Sequence, residues 1–100
     1  MKRRADFGRL HVDGAAKPIY RAEFPCVVTV WCLPDLELEQ DESTKFSHVF
    51  VTTILEECTV SDAMPIPENH PVDFPLEPGE TLYAVTSDMA SLGYVAVTEV

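Results

Sequence analysis

Between Pro25 and Pro34 the chain reads Cys26-Val27-Val28-Thr29-Val30-Trp31-Cys32-Leu33, a run dominated by β-branched and aromatic side chains. Such side chains lose χ1 freedom against the preceding turn of a helix but pack well on a pleated surface. The run therefore predicts a strand, and the two prolines close it, because proline cannot donate to a central ladder. Cys26 and Cys32 would share one face of that strand about 20 Å apart at ~3.3 Å per residue, too far to bridge each other.

The rest of the chain is punctuated in the same way. Ile19 to Phe24 alternates loosely, and Leu36 and Leu38 alternate with Glu37 and Glu39 as a half-buried edge that enters a polar turn at Gln40 to Lys45. Phe46 to Val60 carries Val49-Phe50-Val51-Thr52-Thr53-Ile54 and predicts a strand, with helix as the rival for Thr53 to Cys58. Ala63 to Pro78 holds five of the eight prolines and predicts an extended surface connection with brief pairing at an edge around Val72 to Leu76. Pro78-Gly79 fits the centre of a type II turn, followed by a strand at Thr81 to Thr86. Ser87 to Gly93 is expected as a connection with one helical turn at Asp88 to Leu92 capped by Ser87, and Tyr94 to Val100 as the last strand. These short strands joined by Pro, Gly and Asp turns predict an all-β fold, a small β-sandwich or partly open barrel. Residues 1–17, with Gly8 and Gly14 and no apolar period, are expected as an extended basic arm with at most a short strand at Leu10 to Val12. Residues 18–100 are expected as the single sandwich domain, since 100 residues can build one core but not two.

Charge divides the chain sharply. Residues 1–21 hold Lys2, Arg3, Arg4, Arg9, Lys17 and Arg21 against two acids, for a net of plus four, whereas residues 22–100 hold Lys45 against fifteen acids, for minus fourteen. An acidic body repels nucleic acid, whose affinity for proteins rests on neutralised phosphates, so no direct nucleic-acid partner is expected. A basic arm on such a body points to docking on an acidic surface, its own or a neighbour's. No apolar stretch approaches the ~20 residues that span a bilayer, and Met1 to Arg4 leads into Ala5, Asp6, Phe7 and Gly8 rather than the apolar segment of a secretory signal. Synthesis in the cytoplasm and no membrane partner are the expectations.

The motifs of catalysis are missing from the sequence. Cys26, Cys32 and Cys58 form no CxxC, and His48, Cys58 and His70, the set one would try as metal ligands, have no recognised spacing. There is no Gly-flanked nucleophile and no phosphate loop among four glycines. The expectation is a non-enzymatic protein with no cofactor, no metal and no small-molecule substrate, its cysteines acting as small core hydrophobes. Trp31, Tyr20, Tyr83 and Tyr94 read either as core or as interface anchors. Met64-Pro65-Ile66-Pro67 with Val72, Phe74 and Leu76 forms a preordered strip suited to docking. The candidate partner-binding residues are Lys2, Arg3, Arg4, Arg9, Pro65, Ile66, Pro67 and Phe74.

The C-terminal quarter, Phe74-Pro75-Leu76-Glu77-Pro78-Gly79-Glu80-Thr81-Leu82-Tyr83-Ala84-Val85-Thr86 followed after a spacer by Gly93-Tyr94-Val95-Ala96-Val97-Thr98-Glu99-Val100, resembles the closing hairpin of small tailed-phage virion proteins. These are decoration or cement proteins and minor head or tail components. The resemblance implies a virion structural subunit, made in the host cytoplasm and often homo-oligomeric, that reinforces the lattice of a major capsid protein. On that expectation the arm straps onto an acidic neighbour, and deleting residues 1–9 abolishes incorporation without lowering the melting temperature. A minor head-tail or tail component is one alternative. Another is an inhibitor whose acidic face, with Glu37, Glu39, Asp41 and Glu42, imitates nucleic acid in a basic cleft.

Overall fold

The computed structural model describes residues 3–33, 49–66, 70–86 and 90–99. Its strands are β1 (Arg3–Val12), β2 (Lys17–Arg21), β3 (Cys26–Leu33), β4 (Val49–Thr52), β5 (Met64–Ile66), β6 (Val72–Leu76), β7 (Thr81–Thr86) and β8 (Ala90–Glu99). They form two antiparallel sheets, the first in the order β1-β8-β3-β6 and the second in the order β2-β7-β4-β5. The chain is an open all-β sandwich.

Period-two alternation decides what each strand buries. From the first sheet Val12, Cys26, Val28, Val30, Leu76, Leu92 and Ala96 point inward, and from the second Ile19, Val49, Val51, Ile66, Leu82 and Ala84 meet them. The two proline-bearing strands of the 63–78 segment take the positions that proline tolerates: Pro65 lies in β5 and Pro75 in β6, each at a sheet edge. Pro18 lies in β2, also an edge, beside a register shift that absorbs its missing donor. Glu77 to Glu80 closes the expected turn, with Glu80 N–H donating to the Glu77 carbonyl at 3.0 Å and Gly79 at φ +90°. That turn is stitched to the β2–β3 corner, where Ala22 donates to the Glu80 carbonyl and accepts from Gly79 N–H.

Three expectations are corrected. Residues 3–12 are not a free arm with a short strand at Leu10 to Val12: they pair with β8 from Arg3↔Glu99 to Val12↔Ala90. Deleting residues 1–9 would cut into the sheet, so the melting temperature cannot be indifferent to it. The strand expected across Phe46 to Val60 stops at Thr52, whose hydroxyl accepts a hydrogen bond from Ile54 N–H, and a 3-10 helix follows at Leu55–Glu57. A side chain that captures a nearby backbone donor in this way offers the chain an alternative to the ladder. The helical turn expected at Asp88 to Leu92 gives way to β8 from Ala90 onward, because β1 supplies partners for Ala90, Ser91 and Leu92. The edge at Leu36 and Leu38 and the turn at Gln40 to Lys45 lie outside the described residues.

Candidate protein-binding surface

The two faces of the first sheet are unequal in a way that β3 and β8 do not anticipate. A strand covered on one side alternates apolar and polar residues, whereas a strand covered on both sides reads as a continuous apolar run. β3 is apolar but for Thr29, and β8 is apolar from Tyr94 to Val97, yet only one of their faces meets the second sheet. The other face carries Ala5, Phe7 and Arg9 from β1, Val95 and Val97 from β8, Val27, Thr29 and Trp31 from β3, and Asp73 and Pro75 from β6. The register sets them in rows: Ala5, Val97, Val27 and Pro75; then Phe7, Val95, Thr29 and Asp73; then Arg9, Gly93 and Trp31. Phe7 is 75% exposed and Val27 41%. Trp31 lies flat over Gly93, leaving no room there for a Cβ, and so extends the apolar surface across β8. The polar members flank the stripe, with Arg9 on the β1 edge and Asp73, accepting from the Thr29 hydroxyl at 2.6 Å, on the β6 edge.

A second feature lies on the flank where β1 meets β2. A cleft of about 490 Å³ is lined there by Arg4, Asp6, Tyr20, Arg21, Glu23 and Tyr94, among others. Tyr20 Oη donates to Asp6 Oδ2 at 3.0 Å, and Arg4 Nε approaches Asp6 Oδ1 at 3.5 Å. Desolvation and, after it, the Asp6 carboxylate raise the Tyr20 phenol above its ordinary value of 10.0. The Arg4–Asp6 pair is largely exposed and contributes little to stability. Arg4, Asp6 and Tyr20 engage one another, and they bring no nucleophile beside a base. Ser91 Oγ and His11 Nδ1 do come within 3.2 Å on the outer face, but they are an exposed cross-strand pair, and among the described residues no carboxylate hydrogen-bonds His11 to orient it.

The structure scatters the residues that the sequence nominates. Lys2 and Pro67 lie outside the described residues, and Arg3 is known by its place on β1. Arg4 faces the cleft, and Arg9 lies on the outer face. Pro65 is exposed on β5, but Ile66 is 1% exposed and belongs to the core, so it cannot serve a partner. Phe74 is half-buried and packs against that core. The proline-rich strip alternates like any edge strand, one side chain out and the next in. Of the aromatics, Tyr20 and Tyr94 pack on the core with ring centroids 6.2 Å apart, whereas Trp31 belongs to the outer face. Of the residues tried as metal ligands, His48 lies outside the described residues, Cys58 is buried and His70 is exposed. Burial pushes the Cys26 and Cys58 thiols up, with the Asp6 charge adding to the effect at Cys26.

Phe7, Val27, Val95 and Val97 are the surface residues that the sequence does not single out. The signal was present in the continuous run of β3, which implies a second cover. Comparison with protein-family models, curated proteins and solved structures finds no match to this chain.

Proposed function

We propose that this chain is a non-enzymatic assembly subunit that binds protein through the outer face of its first sheet. Following the resemblance of its C-terminal quarter, the assembly is a tailed-phage particle whose capsid lattice the subunit reinforces. One observation carries the reading: β3 and β8 are largely apolar on both faces while the described residues cover only one, leaving Phe7 on the edge strand β1 75% exposed and Val27 on the central strand β3 41% exposed. Contiguous apolar surface of this kind costs solubility and is found where a partner lies.

The experiment is density-gradient fractionation of the native source expressing the tagged chain or its Phe7→Glu variant. The unaltered chain is expected to sediment with large particles, and the variant to stay in the light fractions. Because Phe7 packs on little else, the variant should keep its stability to within about 0.5 kcal/mol. An unaltered chain that never leaves the light fractions, or a variant incorporated as well as the parent, refutes the proposal. An acidic inhibitor acting through Glu37, Glu39, Asp41 and Glu42 would give the first pattern, with parent and variant alike in the light fractions.

A further inference from the structure

We infer that the occupant of this face is the same face of a second copy of the chain. The inference rests on the assembly reading above and names the partner that packs against the sheet. Its first support is the distribution of charge. The apolar stripe is bordered by a cation on one edge strand, Arg9 on β1, and by an anion on the other, Asp73 on β6. Arg9 forms no ion pair among the described residues. Asp73 engages Thr29 through Oδ1 and leaves Oδ2 for a second donor.

A two-fold axis parallel to the strands, running between β8 and β3, reverses the strand order of the facing copy. It sets β1 over β6 and β8 over β3, so that in one row Ala5 and Val97 of each copy meet Pro75 and Val27 of the other, and in the next Phe7 stands over Asp73. Arg9 of each copy then stands one row from Asp73 of the other, about 7 Å along the strand, a span its side chain covers. Because the interface is isologous, this contact forms twice. The alternative axis, across the strands, would set β1 over β1 and β6 over β6, facing each charged edge with its own kind. Juxtaposed like charges disfavour that arrangement.

The second support is area. The strands hold ten residues in β1 and β8, eight in β3 and five in β6, so at about 3.4 Å per residue the face is about 28 Å long on average, and three strand spacings of about 4.8 Å make it about 14 Å wide. The footprint is about 400 Å² per copy and about 800 Å² in all, the size of a weak, transient interface. A pair of this size separates readily on dilution, and sheets packed face to face can form it with their strands within about 30° of each other.

The test is sedimentation velocity on the full chain from about 5 µM to about 500 µM, with melting curves to establish that each variant is folded. The mass is expected to rise from monomer to dimer across that range. Phe7→Glu should raise the dissociation constant at least about tenfold, Arg9→Glu and Asp73→Arg each about tenfold, and Arg9→Glu/Asp73→Arg should return to within about threefold of the parent. A chain that is monomeric throughout, a dimer indifferent to Phe7→Glu, or a double variant no tighter than the singles overturns the inference. The two readings fail separately. A monomeric chain whose Phe7→Glu variant loses its particle leaves the assembly reading standing without the second copy, and a dimer of this design that never enters a particle does the reverse.

Discussion

Gly8 and Gly93 each lie beneath an aromatic ring of the neighbouring strand, but on opposite faces of the sheet, and the same substitution should have different consequences at the two. Gly8 pairs with Tyr94 on the inner face, and Gly93 with Trp31 on the outer face. A Cβ built on Gly8 would stand 2.5 Å from Cζ and Oη of Tyr94, where ordinary contacts are 3.4–4 Å, so the ring must retreat by about 1 Å. It has little space to do so, because it packs on the core with the Tyr20 ring 6.2 Å away, centroid to centroid, and Tyr20 is tied to Asp6. Overpacking of this kind costs about 1–3 kcal/mol, and replacing glycine in a strand returns about 0.5–1 kcal/mol. Gly8→Ala should therefore destabilise by about 0.5–2 kcal/mol, lowering the melting temperature by roughly 2–16 °C for a domain of this size.

A Cβ on Gly93 meets Trp31 at 2.6 Å, an overlap of similar size. Trp31, however, can lift into solvent from the open face. The lost contact and the strand gain nearly cancel, and Gly93→Ala should fall within about 0.5 kcal/mol of the parent. Urea unfolding followed by circular dichroism gives both stabilities, with slopes expected to match the parent's. Trp31 is the single tryptophan, so a red-shifted native emission in Gly93→Ala alone would report its displacement. Equal stabilities for the two variants, or a larger loss at Gly93, would refute the assignment of the two faces.

Deleting residues 1–9 removes most of β1 and the Asp6 partner of Tyr20, so melting should fall by at least about 10 °C, measured by calorimetry; an unchanged value would mean that the β1–β8 pairing does not form. Gly79→Ala forces a side chain into φ +90°, and chemical denaturation should show a loss of about 1 kcal/mol or more. Tyr20 has a folded-state pKa raised above 10.0, so its contribution is intact below pH 10.0 and is lost as the pH rises through the folded value. The decline in stability on the alkaline side of pH 10.0 should be shallower for Tyr20→Phe than for the parent, as read from denaturation midpoints. Cys26 and Cys58 are buried with raised pKa values, and in the native state their thiols should react with an aromatic disulfide at least about 100-fold more slowly than in urea.

What the sequence reveals follows from how local each determinant is. Cys26–Leu33 and Thr81–Thr86 have the expected bounds because their side-chain types and flanking turn residues suffice to define them, and the Pro78-Gly79 turn needs only the positive φ of Gly79. β1 escapes because its pattern makes sense only beside β8. Asp6 occupies an inward position where Tyr20 can bond it, and Gly8 is acceptable in a strand because Tyr94 covers it. Missing β1 also hides Ala90 to Leu92, whose partners it provides. The candidate surface is illegible for a related reason. An apolar run states that both faces want cover, but not which face the fold leaves open, and so Ile66 and Phe74 are nominated while Phe7 and Val27 are passed over.

The charge division takes on a different meaning once β1 is a strand. Arg3, Arg4 and Arg9 lie on β1 and Lys17 and Arg21 on β2, each the edge of its sheet, and the Tyr20–Asp6 hydrogen bond shows that these two edges adjoin. The basic residues therefore mark one flank of the sandwich, while β6 with Asp73 borders the opposite one. Unpaired edges invite pairing with other chains, and charged side chains along a ten-residue edge oppose it. A charge that changes sign from flank to flank also favours association in which those flanks are exchanged, which is the arrangement produced by an axis parallel to the strands. Both the solubility of the free edge and the choice of that axis can thus come from the same few arginines, without any arm leaving the fold.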